Sequence, residues 1–296
     1  MCTAFKYKQY FCRNYDYEES YDETVKLIPK DSYDNQYSII GVCSGLVEDY
    51  PLMYDGMNEH GLCMGGLAFK GNAYYVNADD VPYGSWIYAP YDFILHILGN
   101  FKTVDEVRIR LQNTYIFDKQ YSDDFPNTDL HWMIIDKEKS IVVEATKDGL
   151  DVYDNPYEVL TNNPPFNMMM DEITFELTHT IGVHSDFDAV EWESRGTETV
   201  GLMGDTTSVG RFERVAYLKE KAKTTEGISP LTQVIHLLGS VEQLYGATRV
   251  GAKYEYTIYS AIYDMIENKV MIKTYDRTLY FTYQNVGEEE IVTIEV

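Results

Sequence analysis

The 296-residue sequence predicts an α+β fold. Runs typical of strands lie at both ends of the chain and enclose runs whose apolar residues recur at helical spacing, whereas a βαβ protein would alternate the two. The sequence also contains no repeat, low-complexity tract or Pro/Gly/Ser-rich linker. Residues 1–296 are therefore assigned to one domain.

The N-terminal part of the chain is predicted to be a series of short strands. Residues 3–7 and 10–15 are aromatic-rich runs separated by Lys8 and Gln9, which predicts a hairpin. Residues 57–61 predict a turn, in which Gly61 is free to adopt a positive φ. The other strands expected here are residues 24–29, 37–43 and 62–69.

After these strands, the apolar residues recur at the spacing typical of helices. Helices are predicted over residues 90–98 and 104–111, and Thr103 followed by Asp105 and Glu106 is typical of a helix start. The polar, irregular residues 186–207 predict a long loop, and loops of that length are usually functional or form a subunit contact. The remaining expected elements are helices at residues 166–180, 211–222 and 230–244, and strands at residues 130–136, 141–145, 254–265, 269–275, 278–283 and 290–295.

Composition and charge exclude several classes of partner. The chain is 45% hydrophobic and 24% charged, as in soluble globular proteins. Its 48 acidic and 24 basic residues give a formal net charge of −24, which would repel nucleic acid and anionic membrane. No apolar run approaches the roughly 20 residues that span a bilayer, and the N-terminus lacks the apolar region of a secretory signal. A cytoplasmic protein is therefore expected.

The four cysteines are Cys2, Cys12, Cys43 and Cys63. They show neither CxxC spacing nor paired histidine ligands, so neither a zinc site nor a disulfide framework is expected. Cys12, Cys43 and Cys63 are predicted to be free, buried residues. No metal or cofactor is implied.

Position 2 carries distinctive chemistry. Because cysteine is small, an aminopeptidase can remove Met1, and Cys2 would then carry a thiol and a free α-amine. The ordinary pKa values of such groups are about 8.5 and about 7.7–8.0, so the amine can accept the thiol proton near neutral pH. The nucleophile would thus supply its own general base. Met-Cys alone is also compatible with an ordinary surface thiol.

The predicted hairpin returns Arg13 and Asp16 close to the N-terminus. Arg13 would favour the thiolate by its opposite charge, and Asp16 would hold the amine in one orientation. Taken alone, each residue would more often belong to a surface ion pair.

The N-terminal segments MCTAF and CRNYDYE resemble the start of the choloylglycine hydrolase family, which includes bile salt hydrolases and penicillin V acylases. Four further segments resemble those of the family and occur in the same order. They are DGMNEHGL at 55–62, LTNNPPF at 160–166, SRG at 194–196 followed by GLMGD at 201–205, and SVGRF at 208–212.

This resemblance implies a four-layer αββα sandwich of two antiparallel sheets, the N-terminal-nucleophile hydrolase fold. It implies that Cys2 attacks an amide carbonyl, that Asp16 positions its amine and that Arg13 lies beside the thiolate. Asn162 would donate its side-chain amide to the tetrahedral oxyanion, and Arg211 would complete the charged set. A homotetramer is also implied, with residues 186–207 reaching a neighbouring subunit.

Two positions depart from the family pattern. Ile87 stands where bile salt hydrolases have an asparagine beside the oxyanion, so only the backbone N–H of Ile87 is available as a second donor. A one-residue shift that would place Tyr88 there is not favoured. Met203 replaces the proline of the family's GLPGD segment, which is expected to affect loop stiffness more than chemistry.

The predicted substrate is a small amphipathic acyl amide. The candidate pocket residues are Tyr17, Met53, Phe69 and Phe125, although each is also an ordinary core or rim residue. The first hypothesis is cleavage of glycine- or taurine-conjugated bile salts through a Cys2 thioester. The second keeps this mechanism but acts on penicillin V or another acyl amide, such as an acyl-homoserine lactone. The third is a catalytically silent ligand-binding homologue.

Overall fold

The computed structural model describes residues 1–171, 202, 204–275 and 278–282. Within these residues, two antiparallel sheets dominate. The first sheet has the order β12 (Val159–Leu160), β1 (Cys2–Tyr7), β2 (Tyr10–Tyr17), β14 (Lys253–Asp264), β15 (Lys269–Thr274) and β16 (Thr278–Thr282), with β13 (Thr248–Val250) paired to β14. The second has the order β11 (Gly149–Asp154), β10 (Ser140–Thr146), β9 (Leu130–Ile135), β6 (Cys63–Ala68), β5 (Met53–Asn58), β4 (Ile39–Cys43) and β3 (Thr24–Ile28).

Helices cover the outer faces of both sheets. Helices α1 (Phe93–Asn100) and α2 (Val104–Leu111) pack on the second sheet, and α3 (Ser208–Lys221) and α4 (Pro230–Gly239) pack on the first. A small parallel pair, β7 (Trp86–Tyr88) and β8 (Thr114–Ile116), lies beside them. The four-layer αββα architecture is confirmed. None of the described helices is both long and apolar enough to cross a membrane.

The N-terminal hairpin forms as predicted and sets the geometry of the site. Lys8 adopts a φ of 55° in the two-residue turn, which suits the twist of the hairpin strands. The turn fixes a register in which Cys2 pairs with Tyr15 and Ala4 with Arg13. Because side chains alternate along a strand, Cys2, Arg13 and Tyr15 share one face of the sheet.

The predicted bounds of α2 and the predicted start of α4 hold, because capping residues are local signals. The Thr103 side chain accepts from the Glu106 N–H and begins α2 as expected. Thr207 accepts from the Gly210 N–H, so α3 begins earlier than predicted. Conversely, α1 begins at Phe93 and α4 ends at Gly239, so both are shorter than expected.

The segment at 57–61 differs in part from its predicted turn. Met57 and Asn58 belong to strand β5, which was not predicted, while Gly61 has the expected positive φ of 81°. The Asn58 side-chain oxygen accepts from the N–H groups of His60 and Leu62, at 3.0 and 3.1 Å. This side chain closes the turn from within the strand.

Several short strands also escaped prediction, namely β7, β8, β11, β12 and β13. Residues 166–171 are helical, as expected for the start of the helix predicted at 166–180. The rest of that helix, the strand predicted at 290–295 and most of the loop at 186–207 lie outside the described residues.

Candidate active site

A cavity of about 320 Å³ opens at the N-terminal end of β1 and is lined in part by Cys2, Arg13 and Asp16. Tyrosines and apolar side chains form much of the remaining wall. Three predicted pocket residues, Tyr17, Met53 and Phe125, are among them. The others are Met1, Tyr15, Tyr21, Leu52, Tyr54, Tyr91, Ile94, Tyr121 and Leu130, and Asp124 adds a carboxyl group to the wall.

Cys2 is held by residues from three parts of the chain. Arg13 Nη2 on β2 lies 3.5 Å from the Cys2 Sγ atom. The Cys2 backbone N–H donates to Asn162 Oδ1 at 2.8 Å. Arg211 Nη1 on α3 donates to the Cys2 carbonyl at 2.6 Å. The structure therefore brings together residues that are up to 209 positions apart in sequence.

Arg13 is a fully buried cation beside this thiol. Its Nη2 also donates to the Gly66 carbonyl at 2.6 Å, and its Nη1 contacts Asp55 and, at 3.2 Å, the Tyr259 hydroxyl. Burial acts to lower the pKa of Arg13, but Tyr259, Cys2 and Asp55 outweigh it and raise this pKa well above its ordinary value. The guanidinium therefore keeps its charge in the interior.

Asp16 lies at the N-terminus as predicted, with 1% of its surface exposed. Its Oδ1 accepts from Thr257 Oγ1 at 2.6 Å, while its Oδ2 has no partner among the described residues. Its backbone carbonyl accepts from the Met1 amine at 2.7 Å. Burial raises the pKa of Asp16 to about 6, against the opposing effects of Arg211, the terminal amine and Thr257.

Asn162 connects the thiol to α3. Its Oδ1 accepts from Arg211 Nη2 at 2.9 Å as well as from the Cys2 N–H, which identifies this atom as the oxygen. Its Nδ2 donates to the Ala68 carbonyl at 2.8 Å, and Ala68 belongs to the cavity wall. An amide nitrogen carries two hydrogens, and this contact uses one of them.

A buried pair that sequence reasoning missed supports the Asn162 loop. His131 and Glu144 face each other across β9 and β10, are fully buried, and approach to 2.9 Å between Nδ1 and Oε1. His131 Nε2 lies 2.9 Å from the Thr161 carbonyl, and Glu144 accepts from the Phe166 N–H at 3.0 Å. The pair thus holds the loop on both sides of Asn162. The only local signal was a histidine and a glutamate among the apolar residues of the two strands.

Asp55 was also missed, although it begins the DGMNE segment. It is fully buried on β5 and accepts from Arg13, from Tyr263 and, at 2.5 Å, from Tyr259. Its place in a motif was visible in the sequence, but its partners lie on strands far away along the chain.

Two predicted site residues lie elsewhere. Ile87 belongs to β7, is 43% exposed and pairs with Tyr115, so the structure does not place its N–H at the cavity wall. Phe69 is fully buried and stacks on His131 with ring centroids 4.5 Å apart. Its ring supports the His131–Glu144 pair and does not line the cavity.

The other cysteines are free and buried, as predicted. Burial raises the pKa of Cys43 to about 12 and the pKa values of Cys12 and Cys63 well above their ordinary range. Of the four thiols, Cys2 is the one in the cavity wall. No group of three His, Cys, Asp or Glu side chains suited to a metal occurs among the described residues.

The αββα sandwich with a thiol at the start of its first strand defines the N-terminal-nucleophile class of fold. The chain belongs to the linear amide C–N hydrolases, choloylglycine hydrolase family, whose family model matches residues 1–288. It is 40% identical to a bile salt hydrolase/transferase of Lactiplantibacillus plantarum, over 94% of this chain and 90% of that one. It is 34% identical to a bile salt hydrolase/transferase of Clostridium perfringens, over 99% of this chain and 96% of that one.

Solved structures agree with this assignment. The C2A mutant of conjugated bile acid hydrolase from Clostridium perfringens superimposes with a TM-score of 0.86 at 31% identity, covering 100% of this chain and 97% of that one. Penicillin V acylase from Agrobacterium tumefaciens gives a TM-score of 0.75 at 19% identity, covering 98% and 89%. At that identity the second comparison shows a shared fold alone.

Proposed function

We propose that the protein hydrolyses the amide bond of glycine- or taurine-conjugated bile salts, with Cys2 as the nucleophile. The observation that carries this proposal is the Cys2 thiol beside Arg13 in the wall of the cavity. The names of the relatives at 40% and 34% identity support the choice of substrate.

The reaction begins with removal of Met1, which converts the Cys2 nitrogen from an amide into an amine. That amine takes the Sγ proton, and the thiolate attacks the amide carbonyl while Arg13 balances its charge. The free hydrogen on Asn162 Nδ2 is offered to the oxyanion. The proton passes from the amine to the leaving nitrogen, and water then hydrolyses the thioester to release the bile acid and restore the thiol.

The cavity wall suits an amphipathic acyl group. Leu52, Met53, Ile94 and Leu130 provide apolar surface, whereas tyrosine rings combine an apolar body with a hydroxyl. Small-molecule sites typically combine these two kinds of surface. A hydroxylated steroid presents matching apolar and polar parts.

Free glycine and taurine released from glycocholate and taurocholate measure the activity directly. We expect release between about pH 4.5 and 8, and an absence of release across that range would refute the proposal. The matched control is Cys2→Ala, which retains the fold but lacks the nucleophile.

A second candidate is hydrolysis of penicillin V or an acyl-homoserine lactone by the same mechanism. The isoleucine at position 87, where bile salt hydrolases have an asparagine, motivates this candidate in the sequence, although the structure places Ile87 outside the cavity wall. The ratio of kcat/KM for penicillin V to that for glycocholate decides between the two.

A catalytically silent binder is the third candidate. It predicts a blocked N-terminus and no turnover of any of these substrates. The contacts that Arg13 and Asn162 each make with Cys2 count against it. Loss of Met1 in the intact mass, together with stoichiometric thiol labelling of Cys2, would identify the enzyme.

The proposal extends to assembly and location. A homotetramer acting in the cytoplasm follows from the family resemblance and from the composition. Light scattering of the purified protein measures the mass of the assembly, and fractionation of the producing cell measures the location.

A further inference from the structure

Asp55 is a buried carboxylate that the mechanism above does not use. We propose that Asp55, supported by Tyr259 and Tyr263, competes with the Cys2 thiolate for Arg13 and so sets the pH at which the nucleophile ionises. This inference rests on the proposed role of Cys2. Asp55 touches no reacting atom and acts through Arg13, so it is a positioning residue.

The contacts of Asp55 converge from both sheets. Arg13 on β2 and the hydroxyls of Tyr259 and Tyr263 on β14 all donate to its carboxylate, while Asp55 itself lies on β5 of the opposite sheet. All four side chains are almost completely buried, and Asp55 is fully so. Three donors in a dry interior fix the position of this carboxylate beside Arg13.

The two terminal nitrogens of Arg13 face different partners. Nη1 faces Asp55 and Tyr259, and Nη2 faces the Cys2 Sγ atom and the Gly66 carbonyl. A buried guanidinium is stabilised most by its nearest counter-charge. Because Asp55 already supplies a full negative charge, Arg13 has less stabilisation left to give the thiolate.

The tyrosine hydroxyls adjust this balance. Each O–H dipole stabilises the Asp55 carboxylate and so reduces the net negative potential that reaches Cys2. Burial, followed by the charge of Asp55, raises the pKa of Tyr259 and of Tyr263 well above the ordinary value, so both remain donors.

Other titratable or charged groups face the two sites, and the substitutions tested below leave all of them in place. Around Cys2 these are Tyr15, Arg211, Asp16 and the terminal amine. Cys43 on β4 and Cys63 on β6 lie near Asp55, and burial keeps both thiols protonated. The substitutions at Asp55 and Tyr263 therefore change the interaction between Asp55 and Arg13 and leave these other groups as they are.

The substitution Asp55→Asn removes the competing charge while keeping a side chain of similar size. Cys2 then no longer competes with a carboxylate for Arg13, and its thiolate is favoured at lower pH. Removing a unit charge from the far side of the same guanidinium, at an effective dielectric constant of about 20, corresponds to a shift on the order of one to two pH units.

For the substitution Tyr263→Phe we expect a smaller shift, of opposite sign, in the pH at which Cys2 ionises. It removes one donor from Asp55 and leaves the Arg13–Asp55 contact in place. Asp55 then draws more strongly on Arg13, and Cys2 ionises at higher pH. The control is Tyr7→Phe, which removes the hydroxyl that donates to the Ala222 carbonyl at 3.2 Å, outside this network.

The measurement is the rate of iodoacetamide alkylation of Cys2 from about pH 5 to 9, followed on the Cys2 peptide by mass spectrometry. The expected midpoint falls in Asp55→Asn, rises in Tyr263→Phe and stays unchanged in Tyr7→Phe. An unchanged or raised midpoint in folded Asp55→Asn overturns the proposal. If Asp55→Asn does not fold, an unchanged or lowered midpoint in Tyr263→Phe overturns it instead.

The same labelling experiment distinguishes a failure of the proposed bile-salt activity from a failure of the proposed role of Asp55. A wild-type protein that loses Met1 and titrates at Cys2 but hydrolyses no conjugated bile salt contradicts the proposed substrate and leaves the role of Asp55 testable. A protein that hydrolyses glycocholate while all three variants keep the wild-type midpoint contradicts the role of Asp55 alone. With glycocholate, the acid limb of the kcat/KM profile is expected to move with the alkylation midpoint, which a purely structural role would not produce.

Discussion

The substitution Asp16→Asn is expected to stabilise the fold and to stop catalysis. Asp16 is 1% exposed, and its Oδ2 has no partner among the described residues. Asparagine keeps the Oδ1 acceptor that Thr257 uses but carries no charge. The variant therefore relieves the cost of a buried charge while losing the carboxylate that would hold the Cys2 amine.

The magnitude follows from the pKa of Asp16. Burial raises it from 3.8 to about 6 in the folded protein, a difference of about 2 units. Because the folded state binds this proton more tightly than the unfolded chain, the stabilising contribution is present below about pH 3.8 and is lost as the pH rises through about 6. At about 1.4 kcal/mol per unit, the loss amounts to about 3 kcal/mol at pH 7.

Urea unfolding at about pH 4, 5.5 and 7 tests this, on protein prepared with methionine aminopeptidase inhibited so that Met1 is retained. The free energy of unfolding of Asp16→Asn is expected to exceed that of the wild type by up to about 3 kcal/mol at pH 7 and by little at pH 4. The exposed Asp79→Asn provides the control. A stability difference that is independent of pH would refute the reasoning.

Three further predictions concern the loop and the N-terminus. Asn162→Ala should lower kcat/KM by about 10²–10³-fold through loss of the oxyanion donor, whereas the neighbouring Asn163→Ala should not, as steady-state kinetics on glycocholate will show. Glu144→Gln should lower the free energy of unfolding by about 1–3 kcal/mol in urea, because His131 and the Phe166 N–H lose a charged acceptor. Protein that retains Met1, as verified by intact mass, should not hydrolyse glycocholate until an aminopeptidase removes that residue; activity beforehand would contradict the amine as base.

The sequence was informative wherever a local signal specified the structure. Lys8 and Gln9 between two aromatic runs predicted the hairpin, and its register placed Arg13 on the same face as Cys2. Thr103 predicted the start of α2 because a helix cap depends on residues three positions apart. The roles of Asn162 and Arg211 came from the family resemblance, since nothing in their local sequence points towards Cys2.

Predictions from local sequence were wrong for residues whose surroundings are formed by partners far away in the chain. Phe69 was expected in the cavity because aromatic residues suit pockets, but the same property suits stacking on His131 in the core. Ile87 aligned with an oxyanion residue, yet it lies on a short strand that pairs with β8 and is exposed. Neither outcome can be read from hydrophobicity alone.

The sequence by itself determined the candidate nucleophile, the hairpin that carries it and the family to which the chain belongs. Only the tertiary structure decided that Asp55 on one sheet meets Tyr259 and Tyr263 on the other, about Arg13. Those partners are more than 200 positions apart in the chain, and no backbone propensity links them. Packing two sheets face to face brought these charges together in a dry interior, where a carboxylate and a guanidinium act on a thiol far more strongly than they would in water.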